Sequence, residues 1–199
     1  ALVRRVTGVE LGCDGYGFDL VFGSAPDAAA VHIATRYNGL YMVYNVAAAF
    51  FAAHELSVDA AHLQPTLDAY VPAGGRMGRW NIAGRTVEAN LAKNPVGFDR
   101  QIQSIKTAGG RLCAFFLNDN DADGHDVSWI YDVDFERIAD TTGLVAFAGG
   151  TRAHDMQVRL KYADIDAAII SDVAQAIGAV ADEAADDTFY AVANYTAFP

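Results

Sequence analysis

Lysine is scarce in this chain of 199 residues, where basic residues number 14 and acidic residues 25. The lysines are Lys93, Lys106 and Lys161, and the formal net charge at pH 7 is −11. A surface of that sign repels the phosphate backbone of nucleic acids, so we exclude general nucleic-acid binding as a function. One local phosphate site remains compatible with this charge.

Cysteine is rare, and long apolar runs are missing. Cys13 and Cys113 lie far apart and belong to no Cys-x-x-Cys pair, which argues against a disulfide framework or a zinc knuckle. We expect both to be ordinary packed thiols in a reducing compartment. No run of about 18 apolar residues occurs, so we expect no transmembrane helix, and the first residues lack the apolar segment of a signal peptide. These absences predict a cytoplasmic protein.

Hydrophobic residues make up 52% of the chain and charged residues 20%, which is typical of a globular protein. Pro72-Ala73-Gly74-Gly75 breaks both helix and strand and predicts a boundary between residues 1–70 and 71–199. In the first region the pattern predicts a β meander or hairpin and two helices, the first alanine-rich and buried nearly all round. Their predicted ranges are 9–33, Tyr41–Leu56 and Ala60–Ala69.

The second region alternates strands with helices, which predicts an α/β fold with a mainly parallel sheet. The predicted elements are a hairpin of Arg79–Ile82 and Arg85–Leu91, helices Gly97–Thr107, Arg152–Tyr162 and Asp172–Val180, and strands Leu112–Leu117, Leu144–Ala148, Ala168–Ile170 and Phe189–Ala193. Functional residues gather at the carboxyl ends of parallel strands. We therefore expect them in the loops Lys93–Phe98, Asn118–Trp129 and Gly149–His154.

Three short motifs contain candidate nucleotide-binding residues. Asn45 lies near the start of the first helix, where its amide can read an adenine edge or simply bond the backbone. Arg76 follows Gly75 in the hinge and can reach phosphates, or it can belong to a solvated turn. Lys93 and Asn94 precede a Pro-Val-Gly helix start, a favourable place for an anion.

The stretch 118–136 is rich in aspartate. Asp119, Asp121 and Asp123 with Gly124 resemble a calcium loop, but the bidentate Glu of such loops is missing, so we predict no metal site. A carboxylate in a loop after a strand can instead orient a histidine within a Cys-His-Asp arrangement. The chain offers no convincing nucleophilic Cys beside a His, so the other two members of such a triad would come from a partner protein.

Several motifs together resemble the MurT subunits of lipid II isoglutaminyl synthase, a branch of the Mur ligase family. The resemblance runs from about Leu20 to the end of the chain and is most specific in the run from Asp123 to Glu136. The matching segments are Tyr41–Ala49, Gly75-Arg76, Lys93–Phe98, Asp123–Glu136, Arg159–Ala163 and Asn194–Ala197.

This resemblance implies a fold, an activity and a partner. Residues 1–70 would form the β/helical tail of the central ATPase domain, and residues 71–199 the Rossmann-like C-terminal Mur ligase domain. MurT uses ATP and Mg²⁺ to activate the α-carboxylate of the stem-peptide D-glutamate of lipid II as an acyl phosphate. Ammonia released from glutamine by a GatD-type amidotransferase subunit then forms D-isoglutamine, in the cytoplasm near the inner face of the membrane.

The resemblance also assigns roles to residues. Asn45 would contact adenine, Arg76 the phosphates, and Lys93 with Asn94 would face the nucleotide when the domains close. Asp126 would complete the Cys-His pair of GatD, with Asp123 and Asp132 as alternatives.

The chain departs from the Mur pattern at two positions and lacks two motifs. Met42 and Gly78 replace an Asn and an acidic residue that are common in the family. The chain also contains no Gly-Lys-Ser/Thr phosphate loop and no zinc-ribbon cysteines. Either the ATPase centre lies upstream of Ala1 or the protein has lost it; we favour the first and expect this chain alone to be inactive. The alternatives are a non-catalytic interaction domain and a Mur ligase paralogue that adds an amino acid.

Overall fold

The computed structural model describes residues 4–12, 15–24, 28–36, 40–70, 78–181, 183 and 187–197. The chain forms two compact units, Ala1–Val71 and Pro72–Pro199. Among the described residues, no helix combines the length and the apolar character needed to cross a membrane.

The first unit contains a three-stranded antiparallel sheet, which confirms the predicted meander. Its strands, in the order β1-β2-β3, are β1 (Arg4–Gly12), β2 (Gly15–Phe22) and β3 (Ala29–Thr35). Two helices follow, α1 (Leu40–Glu55) and α2 (Leu63–Ala69), the second preceded by a 3₁₀ turn, Ala60–His62. The side chain of Asp59 accepts a 2.9 Å hydrogen bond from the backbone N–H of Ala61 and so caps this turn.

Helix α1 is buried along one face only, so the prediction of a helix buried nearly all round is wrong. Val43, Val46, Ala47 and Phe50 are buried against the sheet, whereas the side chain of Tyr44 is 68% exposed. Alanine favours a helix whatever its surroundings, so an alanine-rich sequence does not report how many faces of the helix are covered.

The second unit is built on a six-stranded sheet, in which β4 alone runs antiparallel to its neighbour. This confirms the α/β class and the mainly parallel sheet. The strand order is β4-β5-β9-β6-β7-β8, so β9 lies between β5 and β6. The strands are β4 (Gly78–Ile82), β5 (Arg85–Leu91), β6 (Leu112–Phe116), β7 (Val145–Gly149), β8 (Ala167–Ile169) and β9 (Phe189–Ala193).

Helices pack on both faces of this sheet and create two apolar cores. Phe98, Ile102, Met156 and Leu160 belong to one core, and Ile177 belongs to the other.

The structure adds two elements that the sequence pattern did not predict, a 3₁₀ turn at Ser128–Asp132 and the short helix α4. The helices are α3 (Pro95–Thr107), α4 (Glu136–Ala139), α5 (Ala153–Tyr162) and α6 (Val173–Ala179).

The hairpin between β4 and β5 turns at Ala83 and Gly84, as predicted. Both residues have positive φ, 52° and 84°, the conformation of the tight turns that match the twist of paired strands. The Asn81 side chain accepts a 3.1 Å hydrogen bond from the Gly84 N–H. Because β5 runs parallel to the strands after it, the loops after β5, β6 and β7 all leave the same edge of the sheet.

Candidate functional site

Two asparagines join the strand ends at the carboxyl edge of the second unit's sheet. The Asn118 N–H donates to Oδ1 of Asn194 at 2.9 Å, and the Asn194 amide donates back to the Asn118 carbonyl at 2.7 Å. The Oδ1 atom of Asn118 accepts a 2.8 Å bond from the Thr151 N–H. Since Asn194 is only 3% exposed, these bonds satisfy polar groups that would otherwise be buried unpaired. These hydrogen bonds fix the starts of the loops after β6 and β7.

The acidic loop begins with aspartates that bond within the chain. Asp119 accepts hydrogen bonds from the Thr151 hydroxyl at 2.8 Å and from Arg152 at 3.1 Å, and these bonds lower the pKa of Asp119. Asp123 accepts from both the N–H and the hydroxyl of Thr196. The third carboxylate of the loop that resembles a calcium site, Asp121, lies 3.3 Å from Nε2 of His125, so all three are directed at protein groups.

Asp126 is placed differently from Asp119 and Asp123. Its side chain is exposed, and its Oδ1 accepts a 2.8 Å bond from the Ser128 N–H. Hydrogen bonds from the Ser128 hydroxyl and backbone lower the pKa of Asp126, so it is ionised at neutral pH. Asp132 is also exposed, and within the described ranges neither Asp126 nor Asp132 forms an ion pair. Asp126 thus has an oriented and charged carboxylate free to contact another molecule.

Arg159 holds the segment that follows Asp126. This arginine of α5 is 4% exposed and donates to the Ile130 carbonyl at 3.2 Å, the Val133 carbonyl at 2.5 Å and the Glu136 carboxylate at 2.8 Å. Its guanidinium lies 5.3 Å from the centre of the Phe135 ring, within cation–π range. The hydrogen bond from Arg159 lowers the pKa of Glu136.

Sequence reasoning gave Arg159 no role. A signal was available, because Arg159 shares the buried face of α5 with Met156 and Leu160. An arginine on an apolar helix face needs buried acceptors. Without the fold, however, the carbonyls that accept from it cannot be named.

Lys93 and Asn94 lie where β5 meets α3, as predicted. The Asn94 side chain caps α3, accepting a 2.8 Å bond from the Gly97 N–H, so its NH₂ group is the part left for a ligand. Lys106 and Lys161 pair with Asp140 and Asp166. Lys93 is exposed and makes no ion pair with any residue that the structure describes.

The predicted site residues divide between the two units. Asn45 is exposed on α1 of the first unit, whereas Lys93, Asn94 and Asp126 belong to the second. Arg76 lies outside the described residues, as does Cys13. Cys113 is fully buried on β6 and unbonded, which confirms the packed thiol expected there.

The second unit also contains an open cavity of about 700 Å³, on the sheet face that packs against α6. Its lining is mostly apolar, with Asp172 as its charged residue; the polar residues are Asn118, Thr151, Ser171, Asp172 and Thr196. None of the predicted site residues that the structure describes lines it. Among the residues that the structure describes, the wall contains a carboxylate and no cation, a lining that does not favour a phosphate group.

Gly78 lies under the indole of Trp80, an aromatic ring of that cavity wall. A Cβ atom at Gly78 would lie 1.8 Å from the indole of Trp80. Glycine therefore leaves room for the indole, which lines the cavity.

Solved structures with a similar fold include Mur ligases. MurF from Acinetobacter baumannii superposes with a TM-score of 0.71 at 18% identity, covering 96% of this chain and 42% of that one. UDP-N-acetylmuramate-alanine ligase MurC from Thermotoga maritima superposes with a TM-score of 0.69 at 10% identity, again over 96% of this chain and 42% of that one. The chain therefore has a Mur ligase fold.

The family within that class follows from sequence. The model of the MurT ligase C-terminal family matches residues 91–198, and the chain belongs to this family. It is 34% identical over 136 residues to the MurT subunit of the glutamine-hydrolysing lipid II isoglutaminyl synthase of Staphylococcus aureus (strain COL), covering 68% of this chain and 31% of that protein. The corresponding subunit of Streptococcus pneumoniae is 34% identical over 166 residues, covering 81% of this chain and 37% of that protein. The chain spans about a third of the length of these relatives.

Proposed function

We propose that this chain is part of an ATP-dependent, glutamine-hydrolysing ligase that amidates the D-glutamate α-carboxylate of the lipid II stem peptide. In this proposal the second unit, as the C-terminal Mur ligase domain, closes over nucleotide and docks a GatD-type glutaminase subunit. The first unit is the tail of the central ATPase domain. The complex works in the cytoplasm, at the inner face of the membrane.

The observation that carries the proposal is the state of Asp126. A histidine in a catalytic triad needs a carboxylate that is ionised and held in one orientation. The bonds from Ser128 provide both properties, and the exposure of the side chain leaves it accessible to a second protein. Asp123, an alternative from the sequence, is occupied by Thr196. Asp132 is exposed, and no described residue forms a bond that fixes its carboxylate.

Nucleotide contact is proposed at the start of α3. Bound ATP would supply the phosphoryl group that activates the carboxylate. Lys93 offers an unpaired ammonium group and Asn94 an NH₂ donor at the amino end of a 13-residue helix, where the helix dipole also favours anions. Asn45 and Arg76 keep their proposed roles toward adenine and phosphate. None of these side chains is a carboxylate, so we assign them no part in holding Mg²⁺.

The test is glutamine hydrolysis by purified GatD from the same source, measured with saturating amounts of this chain. We expect the wild-type chain to stimulate hydrolysis. Asp126→Asn should still bind but lose the stimulation, because the amide cannot stabilise a histidine cation. Asp132→Asn is the matched control, with the same charge change on the same exposed segment, and should stimulate like wild type.

Two results would count against the proposal. If Asp126→Asn and wild type stimulate alike, the triad role belongs to another residue. If the wild-type chain does not bind GatD at all, the partner itself is wrong. Nucleotide contact is tested separately in the whole protein, where ATP should protect Lys93 from acylation by an amine-reactive reagent. A scaffold that does not bind nucleotide would leave the acylation rate unchanged.

A further inference from the structure

Two exposed tyrosines of the second unit contact each other on the surface. The rings of Tyr131 and Tyr162 lie 6.3 Å apart, centre to centre, and cross at 65°. Their side chains are 52% and 75% exposed, and Val158, one helical turn before Tyr162, is 47% exposed. These three residues form what we call the tyrosine patch. Tyrosine is enriched at the energetic centres of protein interfaces, where it contributes a large contact area for few rotatable bonds.

The tyrosine patch is held rigid from below. Tyr131 lies in the 3₁₀ turn Ser128–Asp132, and Tyr162 ends helix α5. Arg159, buried on the same helix, bonds carbonyls on both sides of Tyr131, those of Ile130 and Val133. The two ring-bearing elements are therefore joined by one side chain. A surface fixed in this way loses little conformational entropy on binding, which favours affinity.

The charge around the patch indicates the chemistry of the occupant. Asp132 follows Tyr131 directly, and Asp126 lies five residues before it; both are exposed, and no ion pair to either is found among the described residues. By contrast, Asp134, Asp155 and Glu136 are each paired with an arginine. The patch thus combines apolar rings with two uncompensated carboxylates, which suits a partner face with basic residues.

A second copy of this chain fits the patch poorly. In a two-fold symmetric dimer the same surface meets itself, so Asp126 and Asp132 would face Asp132 and Asp126 of the other copy. The chain as a whole carries a net charge of −11, which adds to the repulsion.

We propose that the tyrosine patch is the docking centre for the glutaminase subunit, whose contact face presents basic residues around an apolar recess. This inference rests on the proposed function. Five residues of extended chain span at most about 17 Å, so Tyr131 and Asp126 fit within one interface of standard size, about 800 Å² on each partner. Docking on the patch therefore brings Asp126 to the edge of the same interface.

The test separates affinity from stimulation. Calorimetric titration of GatD into this chain gives the Kd, and glutamine hydrolysis at saturation gives the activity. For the double variant Tyr131→Ala/Tyr162→Ala we expect a Kd at least ten-fold weaker. Stimulation extrapolated to saturation should remain, because Asp126 is intact. Asp126→Asn should show the opposite behaviour, with no stimulation at saturation and a Kd that weakens by much less than ten-fold. Asp132→Lys should slow association, and raising the salt concentration should reduce this difference.

The control is Tyr44→Ala, an equally exposed tyrosine on α1, which should bind as wild type does. Thermal unfolding of each variant tests whether the fold is retained. If the double variant does not fold, the single variant Tyr162→Ala replaces it in the titration. If the wild type binds GatD and the double variant binds with the same Kd, the docking centre lies elsewhere while the proposed function stands. If the wild type fails to bind, both are wrong. If the wild type self-associates in sedimentation experiments and the double variant does not, the patch binds a second copy of the chain instead.

Discussion

Asp123 and Thr196 connect the acidic loop after β6 to the segment after β9. The Thr196 N–H lies 2.8 Å from one carboxylate oxygen of Asp123, and the Thr196 hydroxyl bonds the other. Thr196 also accepts bonds from the amides of Asn118 and Asn120, at 3.0 and 2.7 Å. One threonine therefore gathers three side chains of the loop, and Asp123 is a structural residue of the loop.

Replacing Asp123 should destabilise the fold. Asp123→Ala leaves the half-buried Thr196 N–H without its acceptor, and we expect a loss of about 1–3 kcal/mol in the free energy of unfolding. Urea denaturation monitored by circular dichroism measures it. Asp121→Ala, in the same loop but fully exposed, is the control and should change stability by less than about 0.5 kcal/mol. Equal effects of the two variants would contradict the structural role of Asp123.

Arg159 should be far more sensitive than another basic residue of the same helix. Arg159→Met retains most of the apolar volume but removes the charged donor from the Ile130 and Val133 carbonyls, which keep only their backbone donors, the N–H groups of Val133 and Phe135. We expect a loss of about 1.5–3 kcal/mol in the free energy of unfolding, the range for hydrogen bonds made by a charged group. Lys161→Met removes an exposed ion pair with Asp166 and should cost less than about 1 kcal/mol. A small loss for Arg159→Met would show that the segment 128–136 does not depend on this arginine.

The pair of Arg159 with Glu136 should make stability depend on pH. Because Arg159 lowers the pKa of Glu136 in the folded state, the unfolded chain binds a proton at this site more readily. The stabilisation is therefore fully present above the ordinary glutamate pKa of about 4.3 and is lost as pH falls through the lower folded value. We expect wild type to be more stable than Glu136→Gln at pH 7 and this difference to shrink below pH 4. Urea denaturation at several pH values tests it, and a difference independent of pH would contradict it.

Cys113 should be unreactive while the protein is folded. Burial raises the pKa of its thiol to about 12, so almost no thiolate exists at pH 8 and no reagent can reach it. In the variant Cys13→Ala, a disulfide-exchange reagent should label no thiol in buffer and one thiol per chain in urea. Rapid labelling in buffer would show that β6 opens frequently.

Gly150 should be harder to replace than another glycine with positive φ. Gly150 and Gly124 have φ values of 90° and 83°, but only at Gly150 would a Cβ meet backbone, at 2.3 Å from the Leu117 carbonyl oxygen. We expect Gly124→Ala to cost about 1–2 kcal/mol from backbone strain and Gly150→Ala to cost clearly more. Denaturation midpoints of the two variants decide this, and equal midpoints would mean that the loop after β7 shifts to accommodate the methyl group.

Local signals were sufficient for most elements of the second unit. The turn at Ala83-Gly84 and the helix start after Lys93-Asn94 each depend on neighbouring residues, and those predictions are confirmed. The position of β9 depends instead on pairings between distant segments, which periodicity does not encode. The turn Ser128–Asp132 was missed for a related reason, since tertiary bonds from Arg159 hold it in place.

Part of the candidate site could likewise be predicted from the sequence and part could not. The positions of the acidic loop and of Lys93 and Asn94 follow from the succession of strands along the chain and from composition. The different roles of Asp126 and Asp123 could not be predicted from the sequence. Asp123 is bonded by Thr196, which lies more than seventy residues further along the chain. The roles of Asn45, Arg76, Lys93, Asn94 and Asp126 toward ligands stay predictions.

The place of β9 determines when the second unit can fold during synthesis. Strands β5 and β6 pair with β9 on either side of it and not with each other, so the middle of the sheet is missing until residues 189–193 have left the ribosome. A nascent chain that stops short of them exposes two unpaired strand edges, which promote aggregation. This unit therefore completes its sheet late rather than strand by strand, and a stop codon a few residues before Phe189 would remove the centre of the domain rather than its margin.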